Sequence, residues 1–125
     1  MNQEVLDHFG EVLMKNVRDY TINQWDRDFE RSKIVVKLDQ LISEKFKDFK
    51  PKQMESVKWL IPRIVDTTIH YFLWMFEQEE NIDIAVTLDG EYIERLQDIS
   101  DGLCGELYTE DGWISRFSKE RYEEL

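Results

Sequence analysis

The segment IVDTTIHYFLWMFEQEE, residues 64–80, constrains the fold more than any other part of the chain. Apolar side chains occupy all faces of a helix drawn over its first two thirds, so we expect a central, largely buried helix. The helix is predicted over residues 52–80, because Pro51 suits the first helical position. Pro62 removes a backbone hydrogen bond, and should kink the helix or make it begin afresh. The predicted core stripe is Val57, Ile61, Ile64, Val65, Thr68, Phe72, Met75 and Phe76.

Two further amphipathic patterns precede this helix. Apolar residues at three- and four-residue spacing predict a helix over residues 3–20, and Thr21 or Asn23 is a candidate cap for the turn that follows. A second pattern, SKIVVKLDQLISEKFKDF, predicts another helix that breaks near residues 49–51. The first predicted stripe is Val5, Leu6, Phe9, Val12, Leu13, Val17 and Tyr20. The second is Ile34, Leu38, Leu41, Ile42 and Phe46.

The hydrophobic period changes after Asn81. Asp89-Gly90 lies between two β-compatible runs, which predicts a small β-hairpin near residues 84–96, with a helix starting near Glu91 as the alternative. Further on, glycines indicate two short helices separated by a turn at Asp111-Gly112. The expected fold is therefore mainly α: a single-domain helical bundle over residues 1–125, with a kinked central helix and one hairpin.

The formal net charge of −11 is unevenly distributed. Residues 1–76 contain 12 acidic and 12 basic residues, and residues 113–125 contain three of each. Residues 77–112 contain 12 acidic residues and only one basic residue, Arg95. Concentrated like charge destabilises a compact state, so this segment serves either solubility or recognition of a basic partner. The same charge argues against direct nucleic-acid binding.

Membrane insertion and export are not expected. The apolar run at residues 71–76 is far shorter than the roughly 20 residues that span a bilayer, and the N-terminus lacks the pattern of a signal peptide. The single cysteine, Cys104, has no partner for an intramolecular disulfide. These features favour a soluble cytoplasmic protein.

Asp66 and His70 are one helical turn apart, and we expect them to form a structural polar pair. The carboxylate would hold the imidazole N–H, and Arg63 would neutralise the carboxylate. Glu4 and His8 repeat the spacing, but metal-binding bundles use Glu and His three residues apart together with further Glu residues. We therefore expect no metal site.

No catalytic motif is present in the sequence. Acidic neighbours should raise the pKa of Cys104, which disfavours a nucleophilic thiol. A phosphate-binding glycine loop, a nucleophile elbow and an H-E-x-x-H zinc motif are all missing. The neighbouring acids Glu110 and Asp111 are expected by chance among 27 acidic residues. The sequence predicts a protein that is not an enzyme and needs no cofactor.

The acidic segment is the remaining candidate site. Its densest part, DISDGLCGELYTEDGW, places acids among aromatic side chains. Acidic residues make association with a basic protein faster and more selective, and an exposed aromatic side chain provides contact area. The alternative is a solvated surface over ordinary core aromatics. The predicted partner-binding residues are Asp98, Asp101, Glu106, Glu110 and Asp111 as steering groups, with Trp113 as the anchor.

The chain also resembles a class of known proteins. The stretches IVDTTIHYFLWMFEQEE and DISDGLCGELYTEDGWISRFSK resemble small acidic bacterial immunity proteins of polymorphic toxin systems. The resemblance implies a cytoplasmic, single-domain inhibitor of a basic toxin, with a nuclease as one candidate. The alternative function is a structural or regulatory helical protein that homodimerises through its aromatics and has no catalytic activity.

Overall fold

The computed structural model describes residues 2–30 and 37–124, and these residues are mainly helical with one small antiparallel sheet. The expected fold class is therefore confirmed. The helices are α1 (Asn2–Leu13), α2 (Tyr20–Glu30), α3 (Lys37–Phe46), α4 (Pro51–Gln78) and α5 (Trp113–Phe117). The strands are β1 (Val86–Leu88) and β2 (Glu91–Ile93), and short 3₁₀ helices span Leu96–Ile99 and Cys104–Leu107.

The first helix does not end near residue 20. A π-helical stretch, Met14–Asp19, joins α1 directly to α2, and Tyr20 has helical backbone angles. We call Met14–Asp19 the π segment. The predicted caps at Thr21 and Asn23 are therefore wrong, because the helix continues through both residues.

The π segment also changes which side chains face the core. Its wider turn rotates the residues that follow relative to an α-helical stripe. Arg18 and Asp19 are buried, whereas Val17 and Tyr20 face solvent, as does Val12. The predicted stripe is thus wrong at Val12, Val17 and Tyr20 and confirmed at Val5, Leu6 and Leu13.

The second predicted helix is confirmed as α3, and so is the break before Pro51, which begins α4. Phe46 of α3 contacts Phe29 and Phe49 edge-on, with ring centroids 4.8 and 4.9 Å away. Leu38 and Leu41 are exposed, contrary to the predicted stripe. Ile34, the first residue of that stripe, lies outside the described residues.

α4 is one continuous 28-residue helix with Pro62 inside it, so the alternative of a fresh start at Pro62 is wrong. Only one face is buried, because α2, the π segment and the second 3₁₀ helix all pack on that side. The buried residues are Ile61, Pro62, Val65, Ile69, Leu73 and Phe76. The predicted core positions Ile64, Thr68 and Phe72 are exposed, so the expectation of a largely buried helix is wrong. Among the described residues, no helix combines the length and apolarity needed to cross a membrane.

The hairpin is confirmed in position and turn. Val86 pairs with Ile93 and Leu88 pairs with Glu91 across the antiparallel strands. Asp89 and Gly90 have φ values of 51° and 83°, and two consecutive positive φ angles are typical of a type I′ turn. The alternative helix at Glu91 is therefore wrong.

The end of the chain contains the two short helices that were predicted, Cys104–Leu107 and α5. The turn between them is closed by a hydrogen bond from the Gly112 N–H to the Thr109 carbonyl, at 3.0 Å. A Cβ at Gly112 would collide with the carbonyl oxygens of Leu107 and Tyr108. The turn therefore requires glycine at this position.

The two faces of α4 predict different costs for two neighbouring phenylalanines. Phe76→Ala should lower the free energy of unfolding by about 3–5 kcal/mol, because Phe76 is 7% exposed and its loss leaves a cavity. Phe72→Ala should cost about 1 kcal/mol, because Phe72 is 48% exposed and mainly loses an edge-to-face contact. Urea denaturation measures both values. Equal losses would contradict the one-sided burial of α4.

Candidate functional site

Residues 77–112, which we call the acidic segment, carry most of their charge without a counter-ion. Arg95 forms ion pairs with Asp83 and Asp98, the latter at 2.9 Å. The hydrogen bond that Arg95 donates to Asp98 is the largest cause that raises the pKa of Arg95, and the charge of Asp83 adds to it. The other ten carboxylates of the segment form no ion pair with any residue that the structure describes. The acidic segment therefore presents nearly all of its negative charge to solvent.

The structure places the five predicted acids at the surface. Asp98, Asp101, Glu110 and Asp111 are exposed, and Glu106 is half-buried. Glu106 accepts a hydrogen bond of 3.0 Å from the Ser100 hydroxyl, which links the two 3₁₀ regions. Their role in binding stays a prediction.

Arg116 of α5 lies beside part of this acidic surface. Its guanidinium donates to the Asp7 carboxylate of α1 at 2.8 Å. This bond is the main cause of the raised pKa of Arg116, and the charges of Glu106 and Asp111 add to it. The same bond lowers the pKa of Asp7. The acidic surface therefore extends to the border with α1.

Trp113 is a core residue, so its predicted role as a surface anchor is wrong. The indole is fully buried and meets the Phe9 ring edge-on at 5.8 Å. It also covers Gly10, where a Cβ would collide with the ring. Glycine inside a helix costs about 1 kcal/mol relative to alanine, so its presence in α1 was the sequence signal for this close approach.

The exposed aromatic of the acidic segment is Tyr92. It lies on β2 opposite Thr87 and is 65% exposed. Glu91 and Glu94 are its close neighbours in the sequence. Strand alternation in EYIERL turns Tyr92 away from Ile93, which packs against the core, so the sequence did contain the signal.

The predicted pairing of Asp66 with His70 is wrong, and their structural role stays a prediction. Asp66 binds Arg18, and His70 Nδ1 lies 2.7 Å from the Tyr108 hydroxyl. Arg63, the expected partner of Asp66, instead donates to Glu123 at 3.1 Å. The two side chains share a helix but have different neighbours, because the π segment and the second 3₁₀ helix contact α4 at different places.

Arg18 uses all five of its N–H donors, although its side chain is fully buried. Two donors hold the Asp66 carboxylate, with distances of 2.6 Å from Nε and 3.1 Å from Nη2. The other three bind the Ser118 hydroxyl at 2.7 Å, the Glu120 carbonyl at 3.2 Å and the Arg121 carbonyl at 2.9 Å. A buried guanidinium with every donor satisfied avoids the penalty of an unpaired charge.

Asp19 completes this network from the next position of the π segment. Its carboxylate accepts hydrogen bonds from the Ser118 hydroxyl and from the Lys119 N–H, the latter at 3.0 Å. Arg18 and Asp19 thus hold residues 118–121 against α4 and the N-terminal helices. We call these contacts the Arg18 network. Sequence reasoning missed it, because its members lie about one hundred residues apart.

A cleft of about 700 Å³ lies beside the network, between α4 and the C-terminal residues. Its walls include Trp59, His70, Tyr108 and Tyr122. Burial is the largest cause of the raised pKa of both tyrosines. Their hydroxyls are therefore neutral hydrogen-bonding groups at physiological pH.

Cys104 contacts Glu77 through both its N–H, at 3.0 Å, and its sulfur, at 3.6 Å. Burial and then the Glu77 charge raise the pKa of the thiol, which confirms the expected direction. A protonated thiol is a poor nucleophile.

The described residues also contain no group of three or more His, Cys, Asp or Glu side chains placed to hold a metal ion.

Comparison with known proteins found no matching family model, no matching curated protein and no matching solved structure. The resemblance to immunity proteins therefore stays a prediction.

The Arg18 network predicts a large cost for removing Asp66. Asp66→Ala should lower the free energy of unfolding by about 3–5 kcal/mol, because it leaves a buried guanidinium without its carboxylate. Glu123→Ala is the control, since it removes an exposed ion pair worth at most about 1 kcal/mol. Urea denaturation measures these losses. The double variant Arg18→Met/Asp66→Leu should lose less stability than the sum of the losses of Arg18→Met and Asp66→Leu measured separately. Equal effects of Asp66→Ala and Glu123→Ala would contradict the network.

Proposed function

We propose that this protein binds a basic protein through the acidic segment and thereby inhibits it, as a bacterial immunity protein neutralises its toxin. One observation carries the proposal: ten of the twelve carboxylates in residues 77–112 have no ion-pair partner among the described residues. The partner's cationic surface would supply the missing counter-charges. A nuclease is one candidate, because a protein that binds nucleic acid needs such a surface.

Outside the acidic segment, a larger share of the acidic residues forms ion pairs. Acids outside the segment are paired with bases at several places on the surface and in the interior. These pairs are Asp7–Arg116, Glu11–Lys15, Asp26–Arg121, Glu44–Lys47, Arg63–Glu123 and Arg18–Asp66. Ion pairs are thus more frequent outside the acidic segment, and the net negative charge is concentrated within it, which favours recognition over a general need for solubility.

Tyr92 takes the place of Trp113 as the proposed aromatic anchor. It is the exposed tyrosine of a hairpin whose turn and register are well defined. Tyrosine at a binding surface supplies a large contact area together with a hydroxyl donor. Acids around it would orient the basic partner before the ring makes contact.

The mechanism of inhibition is coverage of a cationic surface. Long-range attraction speeds the encounter, and the effect weakens as salt shortens the range of the charges. A toxin produced in the same cell would be captured in the cytoplasm, which is the proposed location of the protein. The second candidate, a homodimeric regulatory protein, is favoured by the exposed uncharged face of α4.

The test uses the product of the neighbouring gene as the partner. The triple variant Asp101→Lys/Glu110→Lys/Asp111→Lys should weaken binding by about a hundredfold or more, mainly through slower association, and abolish rescue from toxicity. The control Glu4→Lys/Asp48→Lys/Glu55→Lys makes the same change of net charge at exposed positions outside the segment. It should retain rescue. Association rates measured at several salt concentrations provide the readout.

Equal behaviour of the two triple variants would show that net charge alone matters and would overturn the proposal. Tyr92→Ala provides a separate readout, since loss of the anchor should raise the dissociation rate about tenfold or more. Tyr20→Ala is its control, because Tyr20 is also 65% exposed but lies on α2. Equal dissociation rates for these two variants would exclude Tyr92 as the anchor.

A further inference from the structure

We propose that the exposed face of α4 is a homodimer interface, at which two copies of the chain pair as antiparallel helices. This inference gives the interface of the second candidate named above. The surface is separate from the acidic segment, so dimerisation does not require the acidic segment to bind a basic protein.

The exposed face has the spacing of a helix-pairing seam. Its positions alternate at intervals of three and four residues, which is the spacing of the contact positions in a coiled coil. None of these positions is occupied by Asp, Glu, Lys, Arg or His. The seam consists of Val57, Leu60, Ile64, Thr67, Tyr71, Trp74 and Gln78. Val57 packs partly against the core, but the buried face of α4 uses other residues, so the rest of the seam lacks an apolar partner within the described part of the chain.

The seam presents enough apolar surface for a small interface. Ile64 and Tyr71 are 55% and 61% exposed, and Leu60 and Trp74 are each nearly half exposed. Because an aromatic side chain can bury about 150–250 Å², these four leave roughly 350–450 Å² accessible, which is as large as the largest patch of a typical monomer. Two such faces would bury roughly 700–900 Å², which is the size of a weak, transient interface.

The shape of the face fits a second helix. A shallow groove of about 320 Å³ lies on this face, lined by Leu60, Arg63, Ile64, Thr67, Thr68 and Tyr71. Arg63 is the charged residue in its wall, and its guanidinium is held by Glu123. Knobs from a facing helix pack into holes of this kind. Thr67 lies halfway between Leu60 and Trp74, and its small side chain permits close approach at the centre.

The charges near the ends of α4 favour the antiparallel orientation. Lys50 and Lys52 lie at the N-terminus, whereas Glu79 and Glu80 follow the C-terminus. A two-fold axis near Thr67 brings the basic end of one copy beside the acidic end of the other. The two helix dipoles are also antiparallel in this arrangement, which is electrostatically favourable. A parallel pair would instead place acids beside acids.

A second copy fits this face better than a basic partner does. The seam has no carboxylate with which to attract a cationic surface, and the acids of residues 77–112 lie beyond its C-terminal end. An isologous dimer needs a self-complementary surface, which an uncharged seam with opposite charges at its two ends provides. The small area predicts a reversible dimer with a Kd in the micromolar range.

Analytical ultracentrifugation of the full chain from micromolar to millimolar concentration tests the dimer. The wild-type protein should shift from monomer to dimer, and Ile64→Glu should remain monomeric because it places two carboxylates at the seam. Tyr20→Glu is the control, since it adds a charge at an exposed aromatic of α2 and should dimerise like the wild type. Circular dichroism shows whether both variants keep their helical fold.

Disulfide cross-linking tests the orientation in a Cys104→Ser background. Thr67→Cys should form a covalent dimer under mild oxidation, whereas Gln78→Cys, at the end of the seam, should not. A wild-type protein that stays monomeric at every concentration would overturn the proposal, as would equal cross-linking of the two cysteines. If the wild type is monomeric and Ile64→Glu weakens binding of the basic partner, the face belongs to that partner and the dimer is excluded.

Discussion

The buried ion pair between Arg18 and Asp66 holds together three parts of the chain that are distant in sequence. Arg18 comes from the π segment, Asp66 comes from the middle of α4, and the remaining donors bind residues 118–121. Removal of a guanidinium from water costs several kcal/mol, so the arrangement is stable only because every donor is satisfied. The π segment makes this possible by turning Arg18 and Asp19, two consecutive residues, toward the same C-terminal stretch.

The acidic segment lies between two parts of the chain that are held firmly. It starts at the end of α4 and leads into α5, where Trp113 fills the space over Gly10. Cys104 and Glu77 connect its middle to α4. The segment can therefore display unpaired carboxylates at the cost of some repulsion, because packing at both ends supports the fold.

Local signals in the sequence predicted the turn and the start of α4 but not the π segment, and long-range pairings had no local signal. Asp89-Gly90 predicted the hairpin, and Pro51 predicted the start of α4, because turn and helix-start preferences depend on adjacent residues. The exposure of Val17 was missed, because a π segment changes the helical period without a clear sequence signature. The true partner of Asp66 was also missed, since Arg18 lies 48 residues away and helical spacing cannot identify it.

Amide hydrogen exchange at Lys119 tests the central claim that the Arg18 network fixes the C-terminal residues. The Lys119 N–H donates to Asp19 outside any regular helix, so the network is its main protection. If the network holds these residues, the Lys119 amide should exchange as slowly as the Leu73 amide in the core of α4, because the exchange of both then requires the network to open. Exchange of the Lys119 amide at the rate of an unfolded chain, with Leu73 still protected, would contradict this claim.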